Sequence, residues 1–382
     1  MRGLLIVNRH ATSMTATVTD LAVRSLAGLV DLDVERTEYR GHARDLAAAA
    51  DADLVIVHGG DGSINEVVNG VMGSAGSAGG GPAGFAAGGG GAGLAAGGGG
   101  AGLAAGGGGA GPLIAVIPGG GANVLARALG VPLDAAAAIR QVREAIAAGR
   151  HRTIGLGLAA DRYFTFSAGL GWDAEVVREV DRMRAQGHRE SVSLFMRTMI
   201  RQYYRGTDRR RPALTVERDG EPPIGGLFMT IVTNRSPWTY LRDRPLLPVP
   251  NPDFNSGLDL LALQRLRLTT VFNAVGQMLY VRSRPPRGRN ILSVPGSESL
   301  TLRSERPIAL QADGEYLGET EAVKFQFVPH ALRIVALLRG LPEGIASLAD
   351  KPRAKCDRSD IKFCCRSAVP SCARQPTLRG LT

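Results

Sequence analysis

Apolar runs and helical stripes alternate through the first third of the chain. Residues 3–8 (GLLIVN) form an unbroken apolar run that stops at polar residues, the mark of a buried strand. Residues 16–30 keep apolar side chains on one helical face, 31–38 (DLDVERTE) alternate, and 42–50 read as an Ala-rich helix. DLVIVHGGDGS (53–63) is an apolar strand running into a Gly-rich turn, after which Ile64, Val67, Val68 and Val71 recur at helical spacing. LIAVIP (113–118) repeats the strand, and GGGANVLARALG (119–130) the turn and a short helix. This alternation predicts an α/β domain with a parallel sheet over residues 1–149.

The texture changes near residue 150. Short β-like runs occur at 152–158, 162–168, 213–219, 225–234, 258–263, 299–303 and 307–312, with helical stretches near 173–186 and 191–205. Many short strands between Gly/Pro turns predict a β-sandwich domain over 150–328. VKFQFVP (323–329) and LRIVALL (332–338) read as closing strands, with 329–341 returning toward the first domain.

Two segments stand apart. Residues 73–111 hold 21 of the 51 glycines, and GGGGAGLAA recurs there at 88–96 and 97–105. Poly-Gly loses too much backbone entropy to fold alone, so a disordered insertion in a surface loop is expected. Residues 342–382 are expected to form a disordered basic tail carrying all four cysteines, Cys356, Cys364, Cys365 and Cys372. Their spacing contains no C-x-x-C pair and so gives no zinc pattern.

Composition narrows the function classes. The 45 basic and 35 acidic residues are mixed with ordinary apolar content, which excludes global disorder. Residues 350–382 carry eight Lys/Arg against three Asp, half of the net +10, so the body's charge does not demand nucleic acid. No apolar run approaches the ~18–20 residues of a membrane-spanning helix, and GLLIVN is too short for a signal peptide. A cytoplasmic protein touching membranes peripherally is the expectation. RQYYRGTDRRR (201–211) mixes Tyr203 and Tyr204 with five Arg, and RSRPPRGR (282–289) adds four. Clustered Arg beside aromatics suits anionic headgroups. Nucleic acid and a merely solvated basic face are the competing readings.

Three motifs carry chemistry. GGDGS at 59–63 sits between a strand and a helix. Gly59, Gly60 and Gly62 permit close backbone approach, the following helix N-terminus suits phosphate, and Asp61 makes sense beside a cation, with a plain turn capped by Asp or Ser as the competing reading. PGGGAN at 118–123 repeats the strand–turn–helix arrangement. Two such turns on neighbouring strands would form one lip at the sheet's C-terminal edge. ADGEYLGE at 312–319 places Asp313 and Glu315 two apart, which on an extended segment share a face. Such carboxylates can hold Mg²⁺ or take a proton from an attacking hydroxyl, although a lone D-G-E is commonly a hairpin turn.

Taken together, GGDGS-x-NE-x-x-NG, PGGGANV-x-AR-x-LG and DGEYLGE resemble the diacylglycerol-kinase catalytic-domain family, which includes sphingoid-base kinases and shares its GGDG loop with NAD kinases and phosphofructokinases. The resemblance covers about residues 3–338 outside the Gly insertion. RTIGLG (152–157) and WTYLRDRPLLPVPNPDFNSGLDLLAL (238–263) look like actinobacterial members. It implies an ATP- and Mg²⁺-dependent lipid kinase that binds lipid between its domains, diacylglycerol being the first substrate expected. On matching positions, Asn8 to Thr12 and Thr37 would line the nucleotide. Gly59, Gly60, Asp61, Gly62, Ser63, Asn65 and Glu66 would hold phosphates, with Gly119, Gly120, Gly121 and Asn123 beside them. Asp61 would order Mg²⁺ through water, Glu315 would be the base, and Asp313 would stand next to it as a catalytic carboxylate.

Departures accompany the resemblance. Arg9 follows Asn8 where the family usually has Pro, Gly121 stands where it has Ser or Thr, and Ser256 replaces an Asp that holds a structural Mg²⁺ in some relatives. Asp253 and Asp259 then read as turn or cap residues. A catalytically impaired nucleotide- or lipid-binding regulator is the alternative, and a soluble NAD kinase a third.

Overall fold

The computed structural model describes residues 1–9, 16–76, 111–188, 192–235, 237–250, 253–280 and 284–335. Thr12, nearly all of the Gly-rich insertion and the Cys-containing tail lie outside the described residues.

Strands β1 (Arg2–Val7), β2 (Asp31–Arg36), β3 (Leu54–Gly59) and β4 (Leu113–Pro118) pair in parallel in the order β4-β3-β1-β2. Three of them read as continuous apolar runs because both faces are covered. Leu5, Val7, Ile56 and Ile117 pack on one face with helices α1 (Ala16–Leu26) and α5 (Ala135–Ala147). Ile6, Val55, Val57 and Val116 pack on the other with α2 (His42–Ala49), α3 (Asp61–Gly76) and α4 (Val124–Ala128). Gly70 lets α3 meet α2 closely, since a Cβ there would lie 2.3 Å from the Arg44 carbonyl oxygen. From β1 the chain goes to β2 on one side and later to β3 on the other. The order reverses between β1 and β3, which opens a crevice at their carboxyl ends.

The second half contributes β5 (His151–Ala159), β6 (Arg162–Phe164), β7 (Ser167–Gly171), β8 (Leu214–Arg218), β9 (Glu221–Leu227), β10 (Met229–Thr233), the small β11 (Thr239–Leu241)–β12 (Arg244–Leu246) hairpin, β13 (Leu258–Leu263) and β14 (Ile291–Ser297). All join antiparallel pairs, the main ones built on β15 (Ser299–Ala312) and β16 (Glu315–Val335). A bulge between Arg303 and Ile308 lets β15 serve two layers, pairing with β8 through Thr301–Ser304 and with β7 through Leu310–Ala312. The inner faces meet over Phe164, Leu170, Leu214, Leu260, Leu302 and Phe325, which gives the C-terminal half its β-sandwich character. The runs 299–303 and 307–312 are therefore one strand, divided in pattern by the polar bulge. Residues 323–329 likewise continue into Val335 without a break, and Ile334 pairs with Ile114 of β4.

Helices α6 (Trp172–Ala185), α7 (Val192–Arg201, continued by a π-helical turn over Gln202–Gly206) and α8 (Leu268–Tyr280) lie on one outer sheet face. They bury Trp172, Val176, Tyr203 and Met278 against Met229, Ile231 and Leu261 of β10 and β13.

Candidate functional site

Both Gly turns sit at the crevice and touch each other. The Gly119 N–H donates to the Gly59 carbonyl at 2.9 Å, and a Cβ on Gly120 would lie 2.6 Å from the Gly60 Cα. Backbone meets backbone here, so only glycine fits at 120. Asn123 locks the second turn. It adopts the left-handed conformation (φ 48°), accepts from the Gly120 N–H at 2.9 Å and donates to the Gly120 carbonyl at 2.7 Å. Asn8, just past β1, donates to Ser63 Oγ at 2.7 Å. Thr37, just past β2, is buried and its N–H donates to the Val7 carbonyl at 3.0 Å. The structure thus gathers Asn8, Thr37, Gly59–Ser63 and Gly119–Asn123 at one sheet edge, with the α3 N-terminus aimed into it. A side chain at Gly62 or Gly121 would meet nothing within 4 Å, so both positions face open space.

Asp61 joins the two turns. Its Oδ2 accepts from Val124 N–H at 2.9 Å and its Oδ1 from Leu125 N–H at 3.2 Å. It caps α4, whose own preceding residue, Asn123, makes no side-chain cap. Among the described residues no group of three or more His, Cys, Asp or Glu gathers into a metal cage. A single carboxylate beside two Gly turns still fits Mg²⁺, which keeps waters and takes further ligands from phosphates.

The D-G-E segment is the turn between β15 and β16. Asp313 (φ 48°) and Gly314 (φ 77°) both have positive φ, as a two-residue hairpin of this hand requires. Of the two readings of D-G-E, this is the hairpin turn and not the shared extended face, and the turn sends the two carboxylates to different surroundings. Asp313 is buried and accepts from Asn65 Nδ2 (2.8 Å), Thr165 N–H (2.7 Å) and Oγ1 (2.8 Å), Phe166 N–H (3.0 Å) and Ser167 N–H (3.1 Å). Burial pushes its carboxyl up, against the pull of those donors. Both of its oxygens are enclosed by these donors.

Glu315, the first residue of β16, stays partly exposed. Its Oε1 accepts from Arg40 Nε (2.8 Å) and Nη2 (2.5 Å), and its Oε2 from Arg162 Nη2 (2.8 Å). Arg162 Nε in turn donates to Asn65 Oδ1 at 3.0 Å. Asn65 therefore links the helix starting at GGDG to both Asp313 and, through Arg162, Glu315. Asn69 braces the same junction, donating to the Tyr163 carbonyl at 3.0 Å and accepting from Tyr163 N–H at 2.9 Å. Glu66 faces elsewhere. It accepts from Gly41 N–H at 3.0 Å at the start of α2, and burial, with neighbouring Glu315, pushes its carboxyl up.

Several functional-site residues have no signal in the motifs. Arg40, Arg162, Tyr163 and Thr165 come from loops and a short strand. On α6, Asp181 accepts from Tyr316 N–H at 3.2 Å, and Asp173 accepts from Gln311 Nε2 at 2.8 Å. Gln311 Oε1 accepts from Gly314 N–H at 3.0 Å, so α6 grips the hairpin that presents Glu315. Burial raises the Asp173 carboxyl to about 6, opposed by the Gln311 bond. Asp253 accepts from Asn255 N–H and Asp259 from Gly296 N–H, as turn and strand-end residues do.

Residues 2–157 match the family model of the diacylglycerol kinase catalytic domain. Over 285 residues the chain is 25% identical to a diacylglycerol kinase of Bacillus subtilis (strain 168), covering 72% of this chain and 76% of that one. The crystal structure of a diacylglycerol kinase from Bacillus anthracis str. Sterne superposes with a TM-score of 0.57 at 19% identity, over 88% of this chain and 97% of that one. A second structure from that organism gives a TM-score of 0.62 at 20% identity over the same shares. At such identities the structural likeness establishes the fold.

Proposed function

We propose that this chain, whose residues 2–157 match the diacylglycerol kinase catalytic-domain model, is a phosphotransferase that moves the γ-phosphate of ATP to a lipid hydroxyl with Mg²⁺. Diacylglycerol, giving phosphatidic acid, is the first acceptor. The observation that carries this reading is the link Asn65–Arg162–Glu315, which ties a carboxylate to the helix rising from the Gly turns.

Each group has a task in such a transfer. Asn8, Ser63 and the Gly60–Gly62 backbone cradle phosphate oxygens at the α3 N-terminus, and Thr37 lies beside the nucleotide. Bound Mg²⁺ would supply neutralisation of phosphate charge, held by Asp61 largely through water. Asp61 also fixes α4 and with it the Gly119–Gly121 turn. Glu315 accepts the proton of the attacking hydroxyl, which makes that oxygen the nucleophile. Arg40, the more exposed of its partners at 64% against 20% for Arg162, swings aside to admit the hydroxyl. Arg162 keeps the carboxylate aimed. Asp313 and Asn65 position without touching substrate.

Glu315→Gln tests the proton role. The amide preserves shape and removes the base, so turnover falls by about 10²–10⁴-fold, with ATP affinity retained. Full turnover by that variant would end the assignment.

A further inference from the structure

The outer surfaces of α7 and α8 share a pattern that the phosphoryl-transfer site does not use. On α7 and its π-helical extension, Met196, Ile200 and Tyr204 recur every four residues and are exposed. Arg197, Arg201 and Arg205 follow each of them by one, making a basic row beside the apolar row. Residues four apart stack on one helical face. On α8, Leu268, Phe272 and Tyr280 stand on one row, with Phe272 70% and Tyr280 72% exposed. Arg265 and Arg267 precede that row, and Arg284, Arg287 and Arg289 follow it.

Both helices point these rows away from the same sheet face. Their opposite sides, Leu194, Phe195 and Met199 on α7 and Val271, Ala274 and Met278 on α8, pack into one cluster over β10 and β13. The Tyr203 hydroxyl donates to the Leu266 carbonyl at 2.9 Å, joining the end of one helix to the start of the other. Charge on these two segments is almost all positive, although Arg201 also pairs with Glu179 of α6 at 3.8 Å. Residues 192–211 contain six Arg and a single acidic residue, Asp208, and residues 264–289 contain six Arg and no acidic residue. Arg209 lies over the Tyr203 ring at 4.5 Å, and Arg244 over the Tyr280 ring at 5.6 Å.

We infer that α7 and α8 together form a docking face for an anionic bilayer. The apolar rows enter the headgroup boundary, and the Arg rows pair with lipid phosphates. Large exposed apolar side chains have a use there that a nucleic-acid backbone does not offer. The face also lies next to the site. α7 packs on α6 through Thr198 against Met183 and Gln202 against Glu175, and α6 holds Tyr316 beside Glu315 through Asp181. The purpose of the face rests on the lipid-kinase reading, but its existence does not.

The full chain is sedimented with vesicles of phosphatidylcholine alone or with 30% phosphatidylglycerol, at low and high salt. Binding to anionic vesicles that weakens with salt is expected. Arg197→Gln/Arg201→Gln/Arg205→Gln lowers partition by about 100-fold, at roughly fivefold per charge near the surface. Ile200→Ser/Phe272→Ser lowers it about tenfold or more without changing the salt response. Unfolding curves establish that each variant is folded, and no kinase turnover is needed, so loss of the enzymatic reading leaves this test intact. Equal binding to neutral vesicles, no binding by folded protein, or unchanged partition of either variant overturns the inference. So does salt-sensitive binding to a nucleic-acid duplex without vesicle binding, which would assign the Arg rows to that partner.

Discussion

Asp313→Asn separates positioning from catalysis at the hairpin between β15 and β16. The change is nearly isosteric, and asparagine tolerates the left-handed conformation at this position, so the backbone turn is not itself strained. What changes is hydrogen bonding. One carboxylate oxygen takes three donors, from Asn65 and Thr165, and the other takes the Phe166 and Ser167 N–H groups. An amide keeps one oxygen and turns an NH₂ toward the remaining donors. Placed best, it leaves two buried backbone N–H groups without an acceptor, at about 1–3 kcal/mol each. Removing a buried charge returns part of this, since burial already works against the ionised carboxyl. The net loss is about 2–3 kcal/mol, a large share of a typical domain's ~5–15 kcal/mol. Urea unfolding of parent and variant at pH 7 measures it. A variant within about 0.5 kcal/mol of the parent but devoid of turnover would refute the argument and return Asp313 to the reacting groups.

Three further substitutions probe the crevice and α6. Gly120→Ala drives a methyl into the Gly60 backbone, so it should cost about 1–3 kcal/mol and sharply weaken nucleotide binding; calorimetric titration with ATP showing parental affinity would contradict the turn-to-turn contact. Gly121→Ser enters open space and offers a hydroxyl to phosphate, so the ATP dissociation constant should fall about tenfold, at ~1.5 kcal/mol for a charge-assisted bond, whereas an unchanged constant would place phosphate elsewhere. Asp173→Asn concerns pH. A carboxyl raised to about 6 in the fold binds its proton more tightly there than unfolded, so the parent loses stability as pH rises from about 4 through 6. Because the residue keeps some exposure, we expect the variant to gain about 1–2 kcal/mol relative to the parent between pH 4.5 and 7.5, and a stability difference that is flat with pH would refute the shift.

What the sequence made legible follows from range. β1, β3 and β4 were readable because strands covered on both faces need unbroken apolar runs, and the turns after β3 and β4 were readable because close backbone contact needs glycine. β14 (ILSVPGS) escaped notice because Pro295 and Gly296 look like a turn. Helix α8 escaped because its sequence, LTTVFNAVGQMLY, lacks charged residues to mark a solvent face. That absence is itself explained if the exposed side meets lipid. At the site, the chemistry-bearing residues were visible but their wiring was not. Glu315 is held by Arg40, 275 positions away, and by Arg162, 153 positions away, and no local pattern reports such partners. The D-G-E triplet is compatible with both a shared extended face and a hairpin turn, and only the positive-φ backbone at Asp313 and Gly314 selects the hairpin, with Asp313 buried and Glu315 partly exposed.

The most direct measurement is transfer of radiolabelled γ-phosphate from ATP to a panel of diacylglycerol, monoacylglycerol, sphingoid base and inositol lipid in mixed micelles, with and without Mg²⁺. The account predicts a labelled lipid that requires Mg²⁺ and that disappears with Glu315→Gln. No labelled lipid from folded protein, or label that survives removal of the Glu315 carboxylate, would contradict it.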